Sequence, residues 1–344
     1  MIILGIETSC DETAVSIVKA EGGLESLSFK VLGSAVNSQV KIHEQYGGVF
    51  PALAKREHIK NLPLVFQQAL TSARTKESEI EIIAVTVGPG LEPALWVGIT
   101  FAEKLGKKWG VLVVGVNHME GHIASVLLNS KLQALIFPVL ALLISGGHTE
   151  LIFLKSWTEK EKIGETQDDA VGEAFDKVAR MLGLPYPGGP EISKLAEEAR
   201  EKNISLETKF PRPMIHSKDF NFSFSGLKTA VLYFLRDEKE TNKLAVAREF
   251  EDAVIETLIS KTKAAIKEYL PKTLIIGGGV IANKALRENF LNLKESYSEI
   301  EILIPEKSLT TDNATMIAAA GYIEYLRDKK LGGELKAQGN LKMD

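Results

Sequence analysis

The sequence predicts an α/β protein built as two related halves, and three observations carry that expectation. Strand-like and helix-like segments alternate through most of the chain, a pattern that places helices on both faces of a sheet. Two strand–turn–strand units, at residues 2–18 and 139–154, share one plan about 140 residues apart, as an internal duplication would produce. Chance competes with that reading, because such units are common. The length, 344 residues, is also roughly twice the ~150 of a typical domain.

Taken in order, the first unit opens with apolar runs at residues 2–6 and 14–18 around the polar turn Glu7-Thr8-Ser9-Cys10-Asp11-Glu12-Thr13. A helical stretch follows Pro51, a strand spans residues 82–87, and Gly88-Pro89-Gly90 forms a turn. Helical periodicity resumes from Pro93 to about residue 108, and residues 111–116 read as a buried strand. The second unit sets residues 139–144 against 151–154 across Ser145-Gly146-Gly147-His148-Thr149-Glu150. Helices are expected near 168–183 and 241–269, then a strand at 273–276, the turn Gly277-Gly278-Gly279 and a helix from about Asn283. A last helix runs from Asp312 to about Arg327. The expected division is a first half at 1–117, with helix 312–327 packing near it, a second half at 118–311 carrying the metal and nucleotide motifs, and a frayed tail at 328–344.

Hydrophobic residues make up 45% and charged residues 25% of the chain, ordinary values for a globular protein. Forty-one basic against forty-five acidic side chains leave a net charge of −4. This excludes a protein that coats nucleic acid by bulk charge, but not one with a local basic patch. The single cysteine, Cys10, forbids an intrachain disulfide and fits a reducing compartment. Residues 1–5 have neither the basic start nor the apolar core of a signal peptide. The longest apolar run, residues 134–144, is interrupted by Pro138 and falls short of the ~20 residues of a membrane helix. A cytoplasmic chain that does not enter a membrane is expected.

Three glycine-containing turns at strand ends point to a nucleotide cleft between the halves. Ser145, Gly146 and Gly147 can turn several backbone N–H groups toward one anion, although a plain tight turn has the same composition. None of the turns has Walker A or Rossmann spacing. His118 and His122 stand four apart in His118-Met119-Glu120-Gly121-His122, so on a helix both imidazoles share one face and could bind one metal. Two structural histidines remain the alternative. Glu120 follows His118 by two residues, about 200° round a helix, unlike the glutamate of a zinc protease. A carboxylate must complete any metal site, and spacing does not say which. Asp312 would by default cap the last helix. Glu7, Asp11 and Glu12 form an acidic cluster suited either to a solvated turn or to a base or metal relay. Cys10 is expected to be packed rather than nucleophilic, and His43, His58 and His216 to be surface or structural.

These segments together closely resemble the TsaD family, also called Gcp, whose archaeal and eukaryotic relatives are the Kae-type proteins. The resemblance lies in residues 5–13, 43–48, 51–58, 88–91, 118–122, 145–149, 172–177, 186–190, 210–213, 222–228, 278–280, 283 and 311–313. It covers nearly the whole chain in family order, and Phe210-Pro211-Arg212-Pro213 and Phe222-Ser223-Phe224-Ser225-Gly226-Leu227-Lys228 look like the bacterial branch. The chain departs from common family residues at Asn117, Glu92 and Pro93, none of them expected to touch the chemistry.

The resemblance implies an actin-like ATPase (sugar kinase) fold, with duplicated halves around a nucleotide cleft. It implies an acyltransferase that moves threonylcarbamoyl from threonylcarbamoyl-AMP to N6 of adenosine-37 in tRNAs reading codons that begin with adenine. His118, His122 and Asp312 would hold iron or zinc, iron(II) being favoured. Leu143, Ile144, Ser145, Gly146 and Gly147 would line the phosphate and carbamoyl region, while Asp176, Gly189 and Asn283 would hold the ribose and adenine. Asp11 or Glu12 is the expected proton acceptor. The implied partners are tRNA, a paralogous TsaB-type actin-fold protein and a small TsaE-type ATPase, with a docking face near the helix after Pro51 or the one after Pro93. For gripping tRNA, Lys55, Arg56 and Lys60, and Arg212, Lys218 and Lys228, are the local basic candidates. A sugar or acetate kinase of the same fold, or a non-catalytic ATPase-like scaffold, is the competing reading; the histidine pair weighs against the kinase.

Overall fold

The computed structural model describes residues 1–128, 132, 134–238, 240–328 and 333–343. Two compact units emerge: Met1–Leu135 with Pro305–Asp344, and Ile136–Ile304. In the first, β1 (Ile2–Glu7), β2 (Glu12–Glu21), β3 (Ser28–Ser38), β4 (Ile82–Gly88) and β5 (Leu112–Asn117) form one sheet in the order β3-β2-β1-β4-β5. Antiparallel pairing joins β1 to β2 and β2 to β3, while β1–β4 and β4–β5 are parallel. The intervening helices are α1 (Val40–His43), α2 (Pro51–Ala73), α3 (Glu92–Trp109) and α4 (His118–Ala124). Helices α2 and α3 pack on each other and on the sheet.

In the second unit, β6 (Val139–Ile144), β7 (Thr149–Leu154), β8 (Lys160–Glu165), β9 (Thr273–Gly277) and β10 (Glu301–Leu303) are ordered β10-β9-β6-β7-β8. Strand for strand this repeats the first sheet, including the two antiparallel and two parallel pairings. The duplication is therefore topological, not merely a matter of spacing. Around the sheet lie α5 (Val171–Met181), α6 (Gly188–Glu201), α7 (Ser225–Asp237), α8 (Lys243–Tyr269) and α9 (Lys284–Asn292). Phe175, Phe222, Phe224 and Phe250 fill this core together with Leu142 and Ile276.

Helix α10 (Ala314–Arg327) returns to the first unit and packs on β1, β2, β4 and β5. Strand periodicity fixes what faces it. Leu4 and Ile6 point into the apolar core with Phe66, Val85 and Ile99, whereas Gly5 lies against α10, where a Cβ would stand 2.1 Å from the Ala314 carbonyl oxygen. By the two-residue repeat, Glu7 shares the face of Gly5, a polar residue delivered to the α10 side at the strand's end.

The unit boundary falls at 135/136 rather than after residue 117, and 305–311 also belong to the first unit. The physical reason is that α4 packs on α10: a Cβ at Gly121 would lie 2.9 Å from Ile317 Cδ1. The histidine pair thus sits in the first unit, not the second. The tail also differs from the frayed segment expected. Leu335, Ala337 and Leu341 pack against the first core, the Gln338 N–H donates to the Val87 carbonyl at 2.8 Å, and Met343 is buried; residues 329–332 and 344 lie outside the described residues. No helix among the described residues is long and apolar enough to cross a membrane.

Candidate metal centre and nucleotide-binding residues

Helix α4 starts directly off β5, capped by Asn117, whose Oδ1 accepts from the Met119 N–H at 2.9 Å. That cap makes His118 the first helical residue and leaves His122 on the same face, with ring centroids 4.8 Å apart. Asp312 comes from the turn before α10. It is not the cap of that helix: Asn313 is, through Oδ1 and the Met316 N–H. The Asp312 carboxylate instead lies between the imidazoles, with Oδ1 3.3 Å from His118 Nε2 and 3.4 Å from His122 Nε2.

These three residues fit a metal. Their candidate ligand atoms all lie within 4.8 Å of one another, and two atoms each ~2.1 Å from one tetrahedral ion stand about 3.4 Å apart. His122 is fully buried, and neither of its ring nitrogens has a hydrogen-bond partner, since the contact to Asp312 is poorly aligned for one. A buried, orphaned imidazole is costly unless something else satisfies it. Burial holds its pKa below the ordinary value, keeping the ring in the neutral form that a metal needs. Two imidazoles and one carboxylate suit iron or zinc and leave coordination positions for substrate.

Glu7 completes the arrangement, and it was not singled out in the sequence beyond its place in an acidic cluster. It is fully buried and accepts from the Ser9 N–H at 2.5 Å, Thr86 Oγ1 at 2.6 Å and His118 Nδ1 at 3.0 Å. A carboxylate on Nδ1 fixes the tautomer and aims Nε2 at the metal position. Burial alone would raise the Glu7 pKa, but the charge and hydrogen bond of His118 outweigh it and hold the group lowered. The same balance holds Asp312 well below the usual carboxylate range. Against its burial, Asp312 and Glu7 push His118 well above the ordinary value.

Around the turn after β1, Asp11 is buried and Glu12 partly so. Burial, and then the charges of Asp11 and Asp312, push Glu12 up to about 10. Burial and the same acidic neighbourhood push the Cys10 thiol far up, the opposite of what a nucleophile requires. Glu120 reaches 3.7 Å from Arg327 at the end of α10, a structural engagement that leaves no resemblance to a protease glutamate. His43 and His58 are both buried.

In the second unit the Ser145 turn is closed by the Ser145 N–H donating to the His148 carbonyl at 2.8 Å, and it abuts the start of α5 through the Gly172 N–H and Ser145 carbonyl, 3.2 Å. A helix N-terminus beside a glycine turn is a favourable anion environment. Nothing lies within 4 Å of where a Cβ would stand on Gly146, Gly147, Gly189 or Gly279, so packing does not explain these glycines and a ligand could approach the bare backbone. Leu143 and Ile144 are fully buried and can meet a ligand only through their main chain. Asp176 Oδ1 accepts from the Gly188 N–H at 2.7 Å, joining Asp176 to the start of α6 and Gly189. Asn283 caps α9 and donates through Nδ2 to Glu251 Oε1 at 2.5 Å; Glu251 also pairs with Arg200. Glu251 carried no local signal in the sequence.

Of the basic candidates, Lys55, Arg56, Lys60 and Lys218 are exposed. Arg212 is committed to Glu249 and Glu256, and Lys228 to Asp169 at 2.7 Å, so these two hold the second unit together.

Known proteins match the chain along nearly its whole length. The family described as "TsaD: tRNA N6-adenosine threonylcarbamoyltransferase" matches residues 30–319. A relative from Thermosipho africanus, named tRNA N6-adenosine threonylcarbamoyltransferase, is 46% identical over 346 residues, covering 100% of both chains. One of the same name from Bacillus subtilis is 43% identical over 347 residues, covering 100% of this chain and 96% of its own. Among solved structures, full-length HypF in its phosphate- and nucleotide-bound form has a TM-score of 0.58 at 13% identity, over 97% of this chain and 47% of that one. The activator of 2-hydroxyisocaproyl-CoA dehydratase from Clostridium difficile with bound ADPNP has a TM-score of 0.51 at 12% identity, over 97% and 99%. Those two likenesses bear on the fold, the actin-like ATPase type; the full-length sequence matches bear on the family. The chain belongs to the TsaD family, the tRNA N6-adenosine threonylcarbamoyltransferases.

Proposed function

We propose that the chain transfers threonylcarbamoyl from threonylcarbamoyl-AMP to N6 of adenosine-37 in tRNAs reading codons that begin with adenine, releasing AMP. The observation that carries this reading is the match over 100% of the chain to relatives of that name. The kinase and scaffold alternatives are not favoured by it, and neither accounts for His122 buried without partners beside His118 and Asp312.

The donor is a mixed carbamoyl–phosphate anhydride with a good leaving group, whereas the adenine N6 amine is a poor nucleophile because its lone pair is delocalised into the ring. Catalysis must therefore position the two, stabilise charge on the carbonyl oxygen and take a proton from N6. In this reading the backbone N–H groups of Gly146 and Gly147, with the Ser145 hydroxyl, hold the phosphate beside the start of α5, while Asp176, Gly189 and Asn283 orient the adenosine of the donor. His118, His122 and Asp312 would hold iron(II) or, second, zinc, which would supply a Lewis acid toward the donor; Glu7 would keep His118 in the ligating tautomer. As N6 bonds to the carbamoyl carbon, the bond to the phosphate oxygen breaks and AMP leaves with the electron pair. The acidic pair Asp11 and Glu12 takes the N6 proton in this reading, with Asp11 as the residue to test first.

The reading also implies a cytoplasmic enzyme working with a TsaB-type actin-fold partner and a TsaE-type ATPase. Exposed Ile59 and Leu64 on α2 and Trp96 on α3 support a partner face on those helices. With a net charge of −4, tight and steeply salt-dependent tRNA binding is expected only of the assembly. The direct test is reconstitution of the chain and these partners with tRNA and synthetic threonylcarbamoyl-adenylate. Wild type should yield the modified nucleoside and His118→Ala should not; no product from wild type would overturn the reading.

A further inference from the structure

The turn that carries Asp11 and Glu12 is gripped in an unusual way. Three successive carbonyls are each taken by a donor from a different part of the first unit. The Leu91 N–H, at the start of α3, donates to the Ser9 carbonyl at 2.8 Å, and the Gln39 N–H, ahead of α1, donates to the Asp11 carbonyl at 3.0 Å. Between them His58 Nε2 donates to the Cys10 carbonyl at 2.9 Å. His58 is the only one of the three that acts through a side chain. Its other nitrogen, Nδ1, lies 2.8 Å from Thr13 Oγ1. Because Nε2 faces a carbonyl and must donate, Nδ1 accepts from the threonine hydroxyl. Both ends of the ring are therefore satisfied, the side chain is fully buried, and burial lowers its pKa, consistent with a neutral ring of one tautomer.

His58 sits on α2, which packs on β2 and β3, so it ties a rigid helix to both ends of the segment from Cys10 to Thr13. The matching turn of the second unit is held by main chain: Ser145 and His148 close on each other and the Gly172 N–H of α5 donates to the Ser145 carbonyl. The first turn is also longer, with six residues between the paired Glu7 and Ala14 against four between Ile144 and Thr149. A longer turn has more conformations to lose, and a proton acceptor misplaced by about an ångström can cost ~100-fold in rate.

We propose that His58 is a positioning residue for the transfer reaction: by holding the Cys10 carbonyl it fixes where Asp11 and Glu12 stand, without touching substrate or metal. The proposal rests on Asp11 being the proton acceptor.

The test compares His58→Ala, His58→Gln, His58→Asn and Asp11→Asn, and the double variant of Asp11→Asn with His58→Ala. Each is loaded with metal and assayed with tRNA and threonylcarbamoyl-adenylate. Gln can place an amide N–H near the position of Nε2, whereas Asn is a carbon shorter and reaches only the Thr13 side. The expected result for His58→Ala is kcat lowered about 10- to 100-fold, with KM for the adenylate and bound metal per chain within twofold of wild type. Gln should recover most of the loss and Asn little, and the double variant should be no slower than Asp11→Asn alone, because the two act as one unit. Should His58→Ala not fold, the Gln–Asn difference decides. Equal rates for Gln and Asn, metal or KM changing in step with kcat, or multiplicative losses in the double variant would overturn the proposal. An Asp11→Asn enzyme as fast as wild type would overturn the reading beneath it; a slow Asp11→Asn beside a fully active His58→Ala would overturn the proposal alone.

Discussion

The two units share a five-stranded sheet of the same order and strand directions, yet their first hairpin turns are chemically unlike. The first turn follows a strand that ends in a buried glutamate and carries Ser9, Asp11 and Glu12. In the second, the strand ends in Ile144 and the turn runs through two exposed glycines. Some glycines show the same contrast, although Gly164, Gly172, Gly188 and Gly278 of the second unit are also crowded, with protein atoms 2.3 to 2.7 Å from a Cβ at the nearest contact. Gly5, Gly90 and Gly98 of the first unit are needed because protein atoms occupy the place of a Cβ, 2.1 to 2.7 Å away at the nearest contact. Gly146, Gly147 and Gly189 of the second face open space. The scaffold is repeated, while the first unit carries an acidic turn and a His/His/Asp group that fits a metal, and the second an open main-chain surface suited to an anion. A shared fold therefore does not assign a shared role to equivalent turns.

The sharpest way to break this contrast is at the metal ligands. His122→Ala or Asp312→Ala should remove the bound ion and lower activity by at least ~100-fold, while adenylate binding to the second unit persists. Metal analysis of the purified variants together with adenylate titration checks both halves of the statement. Next comes Glu7→Gln, which keeps the shape but cannot fix His118 as a carboxylate does. Metal affinity should fall about 10- to 100-fold, read by competition with a chelator.

Smaller effects should separate the glycines. Gly5→Ala should cost roughly 2–3 kcal/mol of stability through overpacking against α10. Gly147→Ala should leave stability within ~0.5 kcal/mol but weaken adenylate binding about tenfold by filling the approach to the backbone. Denaturant melts and binding isotherms on the same samples distinguish them. A last effect is electrostatic. Glu12 is raised to about 10, so between its unfolded value near 4.5 and that point the folded chain holds a proton that the unfolded chain has released. Its contribution to stability therefore falls as pH rises through that window. The stability gained by Glu12→Gln over wild type should therefore grow as pH is raised from 5 to 8, read from denaturant melts at the two pH values.

Much of this was legible from residue order alone. The strands at the core of each sheet are apolar runs, and the glycine turns and the His118/His122 spacing are local signals. Missing from that reading were β3 and β8, half-exposed strands with no apolar run, and α6 and α7, whose starts lie in motif blocks that read as loops. The unit boundary was displaced because α4 belongs with a helix nearly 200 residues later, a contact no local pattern encodes. Glu7 illustrates the same limit. In sequence it is one acid among three, and only the alternation of β1 against α10, with the placement of α4, turns its carboxylate onto His118. His58 was set aside for lack of metal spacing, since its partners are a backbone carbonyl and a hydroxyl on another element.

The central claim is that metal and adenylate are held by separable parts of one chain. Parallel measurement of bound metal and adenylate affinity in wild type, His118→Ala and Gly147→Val tests it most directly. The account predicts one ion per chain and adenylate binding in wild type, loss of the ion alone in His118→Ala, and loss of adenylate binding alone in Gly147→Val. Retention of the ion by His118→Ala, or its loss from a folded Gly147→Val, would contradict it.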